Sequence, residues 1–268
     1  MTEESPAVQA STQSEGDARS RLGVPTHVAR IVVAAGALVF AIILPLLFVS
    51  TNVRWVVNSH WLYAWDFHHY PISDHTELSL SQLYSAADQI VHYFNDNTQF
   101  LDVRVHLNGT LVSLYGQREI LHMRDVKTLI QGVYKVQIWT LVYAGLFLIL
   151  GFALRGRGFL KTLTRAAKWS AIGSVAIVAV LGVWMAINFN SLFILFHEIS
   201  FSNNLWELDP YTSYLLAMFP EGFFLDTALI IAVLAVLEFL SFGVLTWWLA
   251  RRFTGARQAE KSIAAGEG

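Results

Sequence analysis

The sequence contains no cysteine among its 268 residues. This absence excludes thiol nucleophiles, disulfides, cysteine metal sites and lipidation of the chain itself. Charged residues are also scarce, at 14% of the chain, whereas hydrophobic residues make up 54%. Soluble domains carry about 25% charged residues, so the composition favours a membrane protein. The net charge of −2 gives no reason to expect a nucleic acid partner.

Two motifs of common enzyme classes are missing as well. The sequence has no Gly-x-Ser-x-Gly elbow and no P-loop, so serine hydrolase and nucleotide chemistry are not indicated.

Four apolar segments are long enough to cross the hydrocarbon core of a bilayer as helices, which rise about 1.5 Å per residue. They are Ile31–Ser50, Tyr134–Leu154, Trp169–Asn188 and Asp226–Ala250. The first is too long for a signal-peptide core, and no small-residue cleavage site follows it. We therefore predict an α-helical membrane protein with four transmembrane helices.

Basic residues predict the orientation of these helices. The loop between the second and third segments has five basic residues and no acidic one: Arg155, Arg157, Lys161, Arg165 and Lys168. The loop at 189–225 has neither lysine nor arginine. By the positive-inside rule, both termini are expected to be cytoplasmic in a multi-pass protein of the cell membrane. The predicted organisation is a disordered cytoplasmic N-terminus (1–28), a membrane domain (29–250) with extracytoplasmic insertions at 51–133 and 189–225, and a cytoplasmic tail (251–268).

The insertion at 51–133 is expected to form a small extracytoplasmic α+β domain. Apolar residues recur at helical spacing over Ser79–Asn95, with Ser79 as the N-cap. The alternating pattern of Leu101–Leu107 is followed by Asn108-Gly109 and a second strand pattern, which predicts a β-hairpin. In the second insertion, Asp209-Pro210 predicts a helix start, with the aspartate as N-cap.

Eight of the nine histidines fall in the two insertions: His60, His68, His69, His75, His92, His106, His122 and His197. His122 and His197 differ from the others because each lies next to the end of a predicted membrane helix. A histidine can take or give a proton near neutral pH. We predict that the two imidazoles converge in one cavity at the outer leaflet and act as acid and base.

Asp125 follows His122 by three residues, so both side chains share one face of a helix. The carboxylate could orient the imidazole of His122, as in hydrolase triads. The alternative is an ordinary ion pair between Asp125 and Arg124 or Lys127, and the sequence leaves both open.

A zinc site is a further alternative, because His68 and His69 are followed closely by Asp74 and His75. Their spacing does not match a helix-borne His-Glu-x-x-His pattern, and no further strong set of ligands is evident. We therefore predict no metal.

Three motifs carry a family resemblance. They are Glu119-x-x-His122-Met123-x-Asp125-Val126-Lys127, then Phe196-His197-x-x-x-Phe201-x-x-Asn204-x-Trp206-x-x-Asp209, and Met218-Phe219-Pro220-x-x-Phe223-Phe224. Together with the order of spans and loops, they resemble the bacterial lipoprotein intramolecular transacylase family. The resemblance implies that the sn-2 acyl chain of a diacylglyceryl lipoprotein passes to the α-amine of its N-terminal cysteine, which leaves a lyso-form lipoprotein.

The same resemblance assigns the central roles to His122 and His197 and implies diacylglyceryl-modified lipoproteins and membrane lipid as partners. The two histidines could divide proton removal from the amine and proton donation to the leaving glycerol oxygen. Candidate substrate-binding residues are Arg118, Arg124, Lys127, Asn204 and Trp206. No cofactor is expected. The competing interpretations are a non-catalytic membrane protein that binds a lipoprotein or cell-envelope partner, and a zinc-dependent membrane hydrolase.

Overall fold

The structure, a computed structural model, describes residues 23–107 and 109–264, with side chains described as far as residue 253. The elements follow in the order α1 (Thr26–Val57), α2 (His60–His69), α3 (Ile72–Thr76), α4 (Leu80–Asn95), β1 (Arg104–Leu107), β2 (Thr110–Ser113), α5 (Gln117–Arg155), α6 (Phe159–Ser200), α7 (Tyr214–Met218) and α8 (Glu221–Ala264). The described chain is therefore mostly helical and has one small antiparallel sheet of two strands.

Among the described residues, three helical stretches are long and apolar enough to cross a membrane: Thr26–Val57, Gln117–Ser200 and Glu221–Phe253. The middle stretch has 84 residues, because only one turn of 3-10 helix, Gly156–Gly158, separates α5 from α6. Gly156 supplies the positive φ of 53° that this turn requires.

Helical structure extends beyond several predicted boundaries. The basic segment at 155–168 was expected to be a loop, but α6 already begins at Phe159. Nothing in this segment after Gly158 breaks a helix, which explains the longer element. Helix α1 begins at Thr26 and α8 continues to Ala264, whereas most of the predicted disordered N-terminus lies outside the described residues.

In the described part of the chain, one compact unit consists of residues 23–46, 139–174 and 237–264. In this unit the ring of Phe40 stacks on that of Phe147, with 4.9 Å between centroids. Gly36 permits this packing, because a Cβ there would lie 2.9 Å from the Phe147 ring. The hydroxyl of Tyr143 donates to the carbonyl of Gly36 at 2.9 Å, so the close approach is also hydrogen-bonded.

The second compact unit consists of residues 47–138 and 175–236 and contains the small α+β domain. Its helix α4 begins as predicted: Ser79 accepts from the Gln82 backbone, and the Gln82 side chain accepts from the Ser79 backbone. This reciprocal pair is a capping box. The apolar face of α4 is buried in the domain core, which includes Leu83, Ile90 and Phe94.

The predicted hairpin is confirmed. Strands β1 and β2 are antiparallel, with Leu107 opposite Thr110, and Gly109 in the turn has a φ of 80°. Asn108 lies outside the described residues. The outer edge of β1 is covered by α4, because Gln89 accepts from the backbone of Arg104 at 3.0 Å and donates back to it at 3.2 Å. This bond pair protects an edge strand that would otherwise be open to pairing.

The predicted helix start at Asp209-Pro210 is wrong. Helix α7 begins four residues later at Tyr214, and Ser213 is its N-cap. The Asp209 carboxylate instead accepts from the Tyr211 backbone at 3.0 Å and from the Thr212 hydroxyl at 3.1 Å. Asp209 therefore stabilises a turn, and the side chain that can reach the α7 backbone is that of Ser213.

Helix α6 is interrupted at Asn188, whose φ of −159° and ψ of 85° are not helical. The Asn188 side chain accepts from the backbone of Ser191 at 3.0 Å, as an N-cap does for a new helix. The hydroxyl of Ser191 accepts from the indole of Trp184 at 2.8 Å, so the break is bridged by side chains. Residues 189–200 therefore form a separate helical segment, which carries His197.

A buried acid lies on the inner face of α2. Asp66 is fully buried, and neither of its carboxyl oxygens has a hydrogen-bond partner in the described structure. Burial, reinforced by the negative charge of Asp226, raises the pKa of Asp66 to about 7. The folded protein therefore favours the protonated acid.

The raised pKa of Asp66 predicts how stability depends on pH. In the unfolded chain this carboxyl ionises near pH 3.8, whereas in the folded chain it ionises near 7. Stability should therefore fall as the pH rises from about 4 to about 7, because only the unfolded state releases the proton in that window. Asp66→Asn should abolish this contribution. Melting temperatures are measured in detergent at pH 5 and pH 8. The melting temperature of the variant, relative to that of the wild type, should be higher at pH 8 than at pH 5. The exposed Asp102→Asn is the control, and an equal gain at both pH values would contradict the account.

Candidate active site

His122 and His197 are brought together by two different elements. His122 lies in the second turn of α5, immediately after the hairpin, and His197 lies in the last turn of α6. Their ring centroids are 6.1 Å apart, with an interplanar angle of 33°. Both residues are buried, at 7% and 8% exposure. The predicted convergence is therefore present, and the two imidazoles are close enough to serve one small reacting group.

The hydrogen bonds of the two rings differ. Nδ1 of His197 lies 2.7 Å from the carbonyl of Phe193, one turn earlier on α6. A carbonyl can only accept, so the neutral ring carries its proton on Nδ1 and leaves a lone pair on Nε2. Nδ1 of His122 is buried and has no partner among the described residues. The pair thus combines one ring in a fixed tautomer with one ring whose Nδ1 makes no hydrogen bond to the described residues.

Burial lowers the pKa of both imidazoles. The pKa of His122 falls to about 4, first because of burial and second because of the neighbouring His197, while the charge of Asp125 acts in the opposite direction. Burial also lowers the pKa of His197, and its bond to the Phe193 carbonyl offsets part of this change. Both residues lie outside the apolar segments at 134–154 and 169–188. Burial therefore favours the neutral form of both rings.

Aromatic rings surround the histidine pair. Phe201 meets His122 edge-on at 5.2 Å. Phe193 packs on His197 at 4.2 Å and Trp206 does so at 5.1 Å, between ring centroids. These rings exclude water from the imidazoles and supply an apolar surface that suits an acyl chain.

Asp125 is next to this pair, but its carboxylate forms hydrogen bonds with other residues. One carboxylate oxygen accepts from Arg124 at 3.2 Å, and the other accepts from the side-chain amide of Asn203 at 2.9 Å. Of the two interpretations of Asp125, the structure contains the ion pair with Arg124. Its orienting role toward His122 stays a prediction, supported by the effect of its charge on the pKa of His122.

The predicted substrate-binding residues divide into two groups. Trp206 packs directly on His197, and Arg118 donates to the backbone carbonyl of Asn204 in the same loop. Lys127 faces away from that loop: its ammonium donates to Asp96 at 2.7 Å and to the carbonyl of Thr98 at 2.6 Å. The first group therefore lies at or near the histidine pair, whereas the ammonium of Lys127 is bonded within the domain.

The other histidines lie outside this arrangement. His68 binds the carbonyl of Ala64 at 2.7 Å through Nδ1, and His69 stacks on Trp65 at 4.8 Å. Within residues 23–107 and 109–264, no group of three or more His, Cys, Asp or Glu side chains is placed to hold a metal ion.

Comparison with known proteins places the chain in a family. A family model for lipoprotein intramolecular transacylase Lit matches residues 38–224. The chain belongs to this family. The lipoprotein intramolecular transacylases are acyltransferases, so the protein is an enzyme of the membrane acyltransferase class, and the resemblance found in its motifs is confirmed.

Solved structures of the family share the fold. The in meso structure of the membrane integral lipoprotein intramolecular transacylase Lit from Bacillus cereus covers 87% of this chain and 99% of its own, at 21% identity and a TM-score of 0.66. A variant of that protein with one histidine replaced by alanine covers 85% of this chain and 96% of its own, also at 21% identity and a TM-score of 0.66. An uncharacterised protein of Aquifex aeolicus is 27% identical over 150 residues, which span 54% of this chain and 62% of that protein.

Several site residues were not predicted from the sequence. Phe193 precedes His197 by one helical turn, and this spacing could have indicated it. Asn203 reaches Asp125 across 78 positions of sequence, and no local pattern signals such a bond. The same is true of Glu119, which belongs to the first motif and whose carboxylate contacts residues 213 and 215.

Proposed function

We propose that this transacylase moves the sn-2 acyl chain of a diacylglyceryl lipoprotein to the α-amine of its N-terminal cysteine by histidine acid-base catalysis, in which His197 takes and returns the proton and His122 stabilises the oxyanion. The observation that carries the proposal is the pair of buried imidazoles, with ring centroids 6.1 Å apart and aromatic side chains around them. Donor ester and acceptor amine belong to one substrate molecule, so their proximity lowers the entropic cost of reaction.

The two rings suit different steps. Nε2 of His197 has the free lone pair and takes the proton from the attacking amine, because Nδ1 of that ring is bound to Phe193. Attack forms the amide C–N bond and breaks the ester C–O bond. The N–H of the neutral His122 ring donates a hydrogen bond to the developing oxyanion, and His197 passes the proton that it took from the amine to the glycerol oxygen. Atoms balance without water or a co-substrate, and the product is an isomer of the substrate.

The positively charged side chains have supporting roles in this proposal. Arg124 is half exposed beside Asp125, and Arg118 lies at the loop that carries Trp206. Either guanidinium can contact carbonyl or phosphate oxygens at the lipid surface. Asn204 and Trp206 complete the substrate site, and diacylglyceryl lipoproteins in the cell membrane are the partners.

Mass spectrometry of a lipoprotein N-terminus tests the function in cells. In cells that contain this protein, the N-terminal peptide should carry one acyl chain on the cysteine amine and one on the glycerol. In cells that lack the protein, both acyl chains should stay on the glycerol. Identical peptides in both strains would favour the non-catalytic, partner-binding interpretation.

We also propose that the 84-residue stretch crosses the membrane twice, which gives four spans with both termini in the cytoplasm. The basic residues of segment 155–168 support this orientation. Reporter fusions at Gly109 and Gly158 should report opposite sides of the membrane, with Gly109 outside. The same side for both would contradict the topology.

A further inference from the structure

Glu119 is a buried carboxylate one helical turn before His122. Its Oε1 accepts from the hydroxyl of Ser213 at 2.7 Å and from the backbone N–H of Leu215 at 2.8 Å. Its Oε2 accepts from the backbone N–H of Gly116 at 2.6 Å. Three charge-assisted bonds fix the carboxylate firmly. They join the start of α5 to the N-terminus of α7.

Two further bonds join α5 to the loop that precedes α7. Arg118 donates to the backbone carbonyl of Asn204, and Asn203 donates to Asp125 at 2.9 Å. These two links lie at the surface, whereas Glu119 and Ser213 are only 6% and 7% exposed. The Glu119 link is therefore the buried one of the three, and losing it leaves polar groups without partners.

The loop at 201–213, which these bonds hold, carries two rings of the candidate site. Phe201 packs against His122, and Trp206 packs against His197. The position of the loop thus determines how tightly the two imidazoles are enclosed. Both carboxylate oxygens of Glu119 accept from protein donors, and neither is bonded to an imidazole in the described structure.

We propose that Glu119 is a positioning residue for acyl transfer, which anchors loop 201–213 to α5 and so holds Phe201 and Trp206 against the histidine pair. The inference rests on the proposed function. A shift of about 1 Å in a positioned group can reduce a rate by about 10²-fold, so a residue that only anchors the loop can control turnover.

Glu119→Gln tests the proposal with little change of shape. The NH₂ group of glutamine cannot accept a hydrogen bond, so at least one of the donors that bind the Glu119 carboxylate loses its acceptor. With purified protein and a diacylglyceryl lipopeptide, kcat should fall about 10- to 100-fold. The matched control is Glu207→Gln, which removes the same charge from an exposed position of the same loop and should leave kcat unchanged.

The pH profile separates positioning from a purely structural role. If the loop loosens, both imidazoles become less buried, so the pKa of the base His197 rises and that of His122 rises from about 4, since burial is the main cause of each depression. The two imidazoles and the carboxylate of Asp125 are the titratable groups that act within the pair. The acid limb of activity in Glu119→Gln should therefore move to higher pH. A purely structural role would reduce the amount of folded enzyme and leave kcat per folded molecule and the pH profile unchanged.

Ser213 gives a second route if Glu119→Gln does not fold. Ser213→Ala removes one bond to Glu119, whereas Ser213→Thr keeps the hydroxyl. We expect a lower kcat with a shifted acid limb in the alanine variant and near wild-type behaviour in the threonine variant. Wild-type kcat and pH profile in both Ser213→Ala and folded Glu119→Gln would overturn the positioning role while the proposed function stood. An inactive wild type would instead overturn the proposed function.

Discussion

Replacing His197 by alanine is expected to reduce acyl transfer by about 10²- to 10⁴-fold, the usual loss when a general acid or base is removed. Replacing His122 is expected to reduce it by about 10²- to 10³-fold, the usual loss when one oxyanion donor is removed. The His197 variant loses the ring whose Nε2 lone pair is left free by the Phe193 bond. The His122 variant loses the neutral N–H donor. Because the two rings act in one step, the double variant should lose little more than either single variant.

The histidine variants should remain folded and membrane-inserted. Packing and backbone hydrogen bonds supply most of the stability of membrane helices, and two imidazoles contribute little to either. His106→Ala is the matched control, since its side chain is exposed on β1 of the same domain. Turnover of a purified lipopeptide substrate is the measurement. Wild-type rates in both single variants would remove the catalytic role of the pair.

Lys127→Met is expected to destabilise the small domain by about 3 kcal/mol, within the range for breaking a buried ion pair from one side. The Lys127 side chain is 8% exposed and that of Asp96 is 21% exposed. The ammonium also lies 4.0 Å from the centroid of the Tyr93 ring. Removing it leaves the Asp96 carboxylate without its main partner and takes a cation–π contact from the core.

Thermal unfolding in detergent measures the effect of Lys127→Met against a matched control. Arg104→Met breaks the Arg104–Asp102 pair, whose side chains are 58% and 55% exposed. An exposed pair contributes about 0–1 kcal/mol, so this control should be nearly neutral. If Lys127→Met kept the wild-type melting temperature and raised KM instead, the substrate-binding role predicted from the sequence would be favoured.

Local patterns in the sequence predicted the elements that local forces determine. The capping box at Ser79 needs only the residue three positions later, and the hairpin turn needs a residue that tolerates the φ of 80° at Gly109. The start of α7 was missed for the opposite reason. Its hydroxyl cap at Ser213 is stabilised by Glu119, 94 positions away, and no local rule contains that contact.

The candidate site shows the same division. His122 and His197 were predicted to converge because each lies beside an apolar helix, and their rings are 6.1 Å apart. The hydrogen-bond partners of the surrounding polar groups were predictable only where they are neighbours in sequence. Asp125 binds Arg124, as one of the two interpretations predicted, but Asp125 also binds Asn203, and Lys127 binds Asp96. Such bonds depend on tertiary packing, which sequence spacing does not specify.

The central claim is that this chain moves an acyl group from glycerol to the cysteine amine within one substrate molecule. The most direct measurement is tandem mass spectrometry of a diacylglyceryl lipopeptide labelled isotopically in its sn-2 acyl chain, mixed with unlabelled lipopeptide and purified protein. The account predicts that the total mass is unchanged, that the label appears on the cysteine amide and that no label crosses to the unlabelled lipopeptide. Label that stays on the glycerol, or leaves as free fatty acid, would contradict it.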